Sequence, residues 1–284
     1  MHIMIFQGSP EASQRSTGEM GGRMNESLFN DALKSHDPGV RTFTLNIADG
    51  ERLPQGMALS DFDGVVITGS PLSTYDDVPA VRDQLSLARD VFDAGIPTFG
   101  SCWGLQLMAA ALGGTVRLNP KGREIGIART IILNEAGRGH AMYADKPHAF
   151  DAFCSHQDEV SSLPDGGVVL ASNTVSDIQA AEIARGGKNF WGVQYHPEFD
   201  FALIAALIEK RGERHIREGL APDQPGVAAI VADFRALDAA GAERKDLAWR
   251  YGLNADVLDA GVRRAEFGAW LATKVRPYAA RHRG

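Results

Sequence analysis

Cys102 stands in the segment Thr-Phe-Gly-Ser-Cys-Trp-Gly-Leu-Gln, residues 98–106, between a short apolar run and a helical pattern. Glycines at positions 100 and 104 let the chain turn sharply there, so the segment reads as a nucleophile elbow. The sulfur would sit at a helix N-terminus, where the macrodipole stabilises negative charge. The backbone N–H of Trp103 would point to the place where an oxyanion forms. The alternative is a buried structural cysteine ahead of a helix. The other cysteine, Cys154 in Phe-Cys-Ser-His, has no flanking glycines and lies in a strand pattern, so it reads as structural.

A cysteine nucleophile needs a base, and the base needs a group that fixes its tautomer. Residues 190–199, Phe-Trp-Gly-Val-Gln-Tyr-His-Pro-Glu-Phe, end an apolar run with His196 and Glu198 two positions apart. On a strand, positions i and i+2 share a face, which brings the two side chains together. A histidine at a strand end can also be merely structural. A second His-x-acid pair, His156 and Asp158, raises a metal site as an alternative. Without an HExxH pattern or clustered cysteines, no metal is expected.

These residues need a scaffold. Strand patterns fall at residues 2–7, 40–46, 64–69 and 97–100, and helical ones at 24–34, 79–94 and 103–112. The residues between the first strand and the first helix read as a polar loop. Such alternation implies an α/β fold with a mostly parallel central sheet. After residue 114 the pattern changes to strands joined by turns, at 115–118, 125–133, 148–155, 168–172, 179–184 and 190–195, which suits antiparallel strands added to a sheet edge. A helix follows at 200–211.

From residue 203 onward only helical patterns appear, at 227–239, 246–251 and 255–274. The expected division is a domain over 1–202 and a helical extension over 203–284. That extension has 14 Lys+Arg against 11 Asp+Glu, while the rest has 15 against 25. A net charge of −7 argues against bulk electrostatic grip on nucleic acid. No apolar run approaches the roughly 20 residues that span a bilayer. The N-terminus has no secretory pattern, and two cysteines in 284 residues suit a reducing compartment. A soluble cytoplasmic protein without membrane or nucleic-acid partners is expected.

Gly-Ser-Cys-Trp-Gly-Leu-Gln and Gln-Tyr-His-Pro-Glu, in this order and about ninety residues apart, closely resemble the motifs of the class I, or triad-type, glutamine amidotransferases. The resemblance covers roughly residues 1–202 and implies a flavodoxin-like, three-layer αβα sandwich. It implies that Cys102 attacks the side-chain amide of glutamine to give a γ-glutamyl thioester and ammonia, with His196 moving the proton and Glu198 holding His196. No cofactor is implied. Thr68-Gly-Ser-Pro-Leu-Ser73 stands where the family has its Gly-Gly-Pro-x-Ser loop. The resemblance thus places Gly69 beside the substrate and makes the backbone N–H of Ser70, with that of Trp103, the oxyanion hole. Ser70 replaces the family's second glycine. By the same resemblance Gln106 would contact the bound glutamine, and Glu124, in Gly-Arg-Glu-Ile-Gly, would bind the substrate's α-amino group. His156 and Asp158 resemble the family's Ser-His-x-Asp stretch and read as structural or supporting.

The flavour resembles stand-alone relatives of the amidotransferase domain of GMP synthase. No Ser-Gly-Gly-x-Asp-Ser loop and no P-loop occurs, so nucleotide chemistry in this chain is not expected. Three functions follow. One is an amidotransferase or glutaminase passing ammonia to a synthetase partner. Another is a stand-alone hydrolase of γ-glutamyl amides or peptides. The third is a non-catalytic binding or regulatory module, against which the intact Cys102–His196–Glu198 set weighs. The fold-level rival is the related intracellular cysteine peptidases, which share the elbow, but His-Pro-Glu after the last core strand points to the amidotransferases.

Overall fold

The computed structural model describes residues 1–283. Eleven strands form within it: β1 (His2–Phe6), β2 (Arg41–Leu45), β3 (Gly64–Ile67), β4 (Thr98–Ser101), β5 (Thr115–Leu118), β6 (Glu124–Leu133), β7 (Ala149–His156), β8 (Asp158–Ser162), β9 (Gly167–Ser172), β10 (Ala180–Arg185) and β11 (Lys188–Val193). β3 and β4 are buried at every position, as expected of parallel strands covered on both faces. Nine strands make one sheet in the order β2-β1-β3-β4-β11-β10-β9-β6-β7. The first five run parallel, and from β11 outward every pairing is antiparallel. The expected antiparallel extension is therefore present. One expected strand departs from it, because β5 leaves the sheet edge and, among the described residues, pairs with β8 alone in a separate two-stranded sheet.

The main helices are α1 (Glu11–Glu19), α2 (Asn25–His36), α3 (Pro79–Asp93), α4 (Trp103–Ala111), α5 (Glu135–Arg138), α6 (Phe201–Lys210), α7 (Gly212–Arg217), α8 (Gln224–Ala240), α9 (Lys245–Arg250), α10 (Ala255–Leu258), α11 (Ala260–Arg263), α12 (Ala265–Trp270) and α13 (Arg276–Arg283). On one sheet face α3 and α4 pack against Met4, Phe6, Val65 and Ile67. On the other, Phe29 of α2 and Phe267 and Trp270 of α12 pack against Ile3, Ile5, Val66 and Phe99. This is the three-layer αβα arrangement, with the helical C-terminal region joined to it. None of the helices among the described residues is long and apolar enough to cross a membrane.

Two expectations need correcting. The polar stretch after β1 contains α1, a helix with no apolar stripe whose buried side chains are Gln14 and Thr17. The single helix expected over 255–274 is broken into α10, α11, α12 and a π-helical turn, Leu271–Val275. Asp259 makes the first break by leaving helical geometry and capping the amides of Gly261 and Val262.

The β4–α4 turn works because two glycines meet in it. A Cβ on Gly100 would lie 2.6 Å from the backbone carbon of Gly104, and one on Gly104 would lie 2.7 Å from the Ile67 carbonyl oxygen. These obstacles are backbone and cannot swing away. Gly104→Ala is expected to destabilise the fold by about 1–3 kcal/mol through overpacking, measured by urea denaturation. A change within about 0.5 kcal/mol would mean that α4 can slide off the sheet.

Candidate active site

The carboxyl ends of β3, β4 and β11 lie side by side, where parallel α/β sheets place their ligand crevices. Cys102 follows β4 directly. Its φ of 53° is left-handed, a strained conformation for a residue with a side chain. The bend is held from the next strand, since the Cys102 N–H donates to the Val193 carbonyl at 2.7 Å. Trp103 opens α4, so its N–H belongs to the first turn, which a helix leaves without an internal acceptor. The Cys102 Sγ lies 3.9 Å from the Ser155 carbonyl oxygen.

β11 ends at Val193, so His196 and Glu198 sit on the turn after it and not on the strand. Their convergence comes from that turn. Its backbone is anchored by the His196 N–H on the Phe153 carbonyl at 2.8 Å, and Nδ1 of His196 meets Oε1 of Glu198 at 2.6 Å. The other carboxylate oxygen of Glu198 accepts from Ser101 Oγ at 2.9 Å. Phe199 stacks on the imidazole, with ring centroids 3.6 Å apart and planes 10° from parallel. Gly69, beyond β3, closes the remaining side. A Cβ there would lie 2.8 Å from His196 Cε1. The ring is thus fixed by a carboxylate, a phenyl face and a bare backbone.

Burial alone would lower the pKa of His196. The charge of Glu198, the interaction with Cys102 and the hydrogen bond to Glu198 outweigh it and raise the value to about 9. A raised histidine pKa stabilises the fold fully below the unfolded value near 6.5, and that contribution disappears as pH rises through about 9. The stability advantage of the wild type over His196→Asn is expected to shrink by about 3 kcal/mol between those limits. Urea denaturation across pH 6–10 measures it, and a pH-independent difference would remove the imidazolium from the site.

Cys102 lies at the meeting of two cavities, of about 650 and 70 Å³. Ser70, Pro71, Cys102, Ser155 and Arg211 line both. Arg211 donates from Nη1 to Ser155 Oγ at 3.0 Å. Its pKa is lowered to about 10 by burial and then by the charges of Arg123 and Arg214.

The sequence profile described as glutamine amidotransferase class-I matches residues 26–206. The chain belongs to this family. Among curated amidotransferase relatives, a γ-glutamyl-L-1-hydroxyisopropylamide hydrolase of Pseudomonas sp. is 36% identical over 222 residues, which cover 77% of this chain and 75% of the relative. The GMP synthase of Thiobacillus denitrificans is 37% identical over 160 residues, 52% of this chain and 28% of the synthase. The chain therefore spans little more than a quarter of that enzyme's length. A glutamine amidotransferase of known structure from Thermotoga maritima superposes with a TM-score of 0.66 at 17% identity, covering 96% of this chain and 99% of the other. One from Methylobacillus flagellatus gives 0.63 at 23% identity, covering 95% and 94%. These two likenesses describe the amidotransferase fold. An enzyme of this class is the identity that the chain carries.

In this amidotransferase the residues expected from sequence separate into two groups. Cys102, His196, Glu198, Gly69, Ser70 and Trp103 are brought together. Gln106 lines the larger cavity and donates from Nε2 to the Asp158 carbonyl at 2.9 Å and to Gln194 Oε1 at 3.2 Å. Glu124 is not brought to either cavity. Its Oε2 meets His156 Nε2 at 2.9 Å and accepts from Gln179 at 2.8 Å, while Oε1 accepts from Asn173 at 2.6 Å. Its carboxylate is thus consumed inside the protein. The other ring nitrogen of His156 meets the Asp158 carbonyl at 3.0 Å. The Asp158 carboxylate accepts from Ser73 Oγ at 2.6 Å and from Tyr75 OH at 3.0 Å, tying down the loop that carries Ser70. Ser101, Phe199 and Arg211 were not anticipated. Ser101 adjoins Cys102 and Phe199 the His-Pro-Glu motif, so both lie beside a sequence signal. Arg211 has no local signal.

Proposed function

We propose that this enzyme hydrolyses the γ-amide bond of γ-glutamyl substrates through a Cys102–His196–Glu198 triad. The observation that carries the reading is the buried imidazole of His196, held at 2.6 Å by Glu198 and lining one cavity with Cys102 on the carboxyl edge of the sheet. Sγ attacks the amide carbon, and the carbonyl electrons move to an oxyanion held by the N–H groups of Trp103 and Ser70. The oxyanion collapses to a γ-glutamyl thioester as His196 protonates the departing nitrogen. Water, deprotonated by His196, attacks the thioester, releasing glutamate and returning the proton to the Cys102–His196 pair. Glu198 holds the ring and its charge throughout.

A stand-alone hydrolase is favoured over an ammonia donor by the room beside Cys102, about 650 Å³, which suits a leaving amine larger than ammonia. The relative that matches over three quarters of its own length is named as a γ-glutamyl amide hydrolase, which supports the same choice. The likeness to GMP synthases supports the second reading, in which glutamine is the substrate and a synthetase partner takes the ammonia. Incubating the purified protein alone with glutamine and with γ-glutamyl amides, and measuring released glutamate and amine, tests both. Turnover of substituted amides without a partner is the expected result. Turnover of glutamine alone would favour the donor reading. Silence on all substrates, with no Cys102 adduct from a glutamine-like electrophile, would overturn both.

A further inference from the structure

The larger cavity carries more positive charge than amide hydrolysis uses. Five cationic side chains line it, Arg123, Lys210, Arg211, Arg214 and Arg217, against three acids, Asp158, Glu209 and Glu213. In a chain of net charge −7 this is a local reversal of sign. Two of the acids are already occupied. Asp158 accepts from two hydroxyls, and Glu209 pairs with Arg235. Among the cations, Arg123 pairs with Glu218 at 3.2 Å, and Lys210 is held by the Ser13 carbonyl and the Thr17 hydroxyl. Arg211, Arg214 and Arg217 have no carboxylate within ion-pair distance among the described residues. Arg214 and Arg217 lie three residues apart on α7, which makes them neighbours on its surface, and Arg211 is the residue that precedes the helix.

A γ-glutamyl group brings one carboxylate of its own. Arg211, partly buried beside Cys102 and shared by both cavities, is placed to meet it. Arg214 and Arg217 line only the larger cavity and remain unmatched by glutamine or by the γ-amide of a neutral amine. We infer that they meet a second carboxylate on the leaving amine, so that the enzyme selects γ-glutamyl amino acids and γ-glutamyl peptides over glutamine and neutral γ-glutamyl amides. This rests on the γ-glutamyl hydrolase reading and adds the chemical class of the leaving group. Guanidinium–carboxylate contacts are strong when bidentate, and salt weakens them where they are exposed.

Glutamate release from γ-glutamylglycine, γ-glutamylethylamide and glutamine, by the wild type and by Arg214→Gln, Arg217→Gln and the double variant, tests the inference. The expected kcat/KM for γ-glutamylglycine exceeds that for the ethylamide by about 10–100-fold. In the double variant that ratio should collapse through a rise in KM for the acidic substrate, and added salt should reduce it in the wild type. Equal kcat/KM for the acidic and neutral substrates would overturn the inference and leave the hydrolase reading standing. No turnover of any amide would count against the hydrolase reading instead. Calorimetric binding to Cys102→Ser protein then decides the selectivity on its own. Tighter binding of γ-glutamylglycine than of the ethylamide, lost when Arg214 and Arg217 are replaced, upholds it; equal binding sinks it.

Discussion

Cys102→Ser is expected to lower γ-glutamyl amide turnover by ~10⁴-fold or more while leaving the fold's stability within about 1 kcal/mol of wild type. The substitution exchanges sulfur for a slightly smaller oxygen at a site where the backbone is held by Val193 and by the glycine pair, not by the side chain. What changes is the nucleophile. A hydroxyl is far less acidic than a thiol, and the imidazole beside it owes part of its raised pKa, about 9, to its interaction with Cys102. Removing the thiol should therefore bring the His196 pKa down, an effect visible in the ring-proton NMR shifts of the variant. Groups that act as one unit are strongly non-additive. The Cys102→Ser/His196→Ala double variant should be scarcely slower than the slower single one. Additive losses in the double variant, or Cys102→Ser retaining more than a tenth of wild-type turnover, would show that the two residues do not share a step.

The proposed triad is legible in the sequence because each half of it is a local pattern. An elbow needs glycines around the nucleophile, and Gly100 and Gly104 are visible as letters before the structure shows that a Cβ on Gly100 would lie 2.6 Å from the Gly104 backbone. Strand alternation predicts that His196 and Glu198 converge, whereas in the structure the turn beyond β11 brings them to 2.6 Å. A motif supplies which residues are near, and the backbone decides where they point. Glu124 shows the cost of that difference. It begins β6 close to the site, yet its carboxylate turns into the His156–Asn173–Gln179 network. α1 escaped notice because periodicity detects apolar faces, and this helix buries Gln14 and Thr17. Arg211 escaped for another reason. It lies 109 positions after Cys102 in a region read only as helical, and its significance comes entirely from the Ser155 hydroxyl and the cavity around it.

The same limit applies to the role of the C-terminal helices, and Glu266 on α12 offers the sharpest test of it. Glu266→Ala is expected to destabilise the protein by about 3–5 kcal/mol, because it strands a buried charge. Glu266 and Lys146 have side chains that are 0% and 1% exposed and meet at 3.1 Å. The same Oε1 accepts from Tyr195 OH at 2.7 Å, and Tyr195 is hydrogen-bonded to Tyr143 at 2.9 Å. Burial, and then the charge of Glu266, hold both phenols well above their ordinary pKa. Tyr195 immediately precedes His196. On the far side of the same turn, Arg263 donates from Nε to the Phe199 carbonyl at 3.1 Å, fixing the residue that stacks on the imidazole. Glu266 and Arg263 of the C-terminal helices therefore grip the His196 turn at both ends. Loss of stability and loss of catalysis can be separated with Lys146→Met/Glu266→Leu. Removing both charges should recover most of the stability lost in Glu266→Ala, since apolar replacement of a buried pair costs little. That variant still lacks the acceptor for Tyr195, so its kcat should stay below wild type with KM little changed. Urea denaturation and steady-state kinetics on the two variants distinguish the effects. If Glu266→Ala keeps wild-type stability within about 0.5 kcal/mol, Lys146 finds water or another acceptor and the buried pair is not what joins α12 to the core. If the double variant regains kcat along with stability, Tyr195 does not position His196, and the turn is held by Phe153, Ser101 and Arg263 alone.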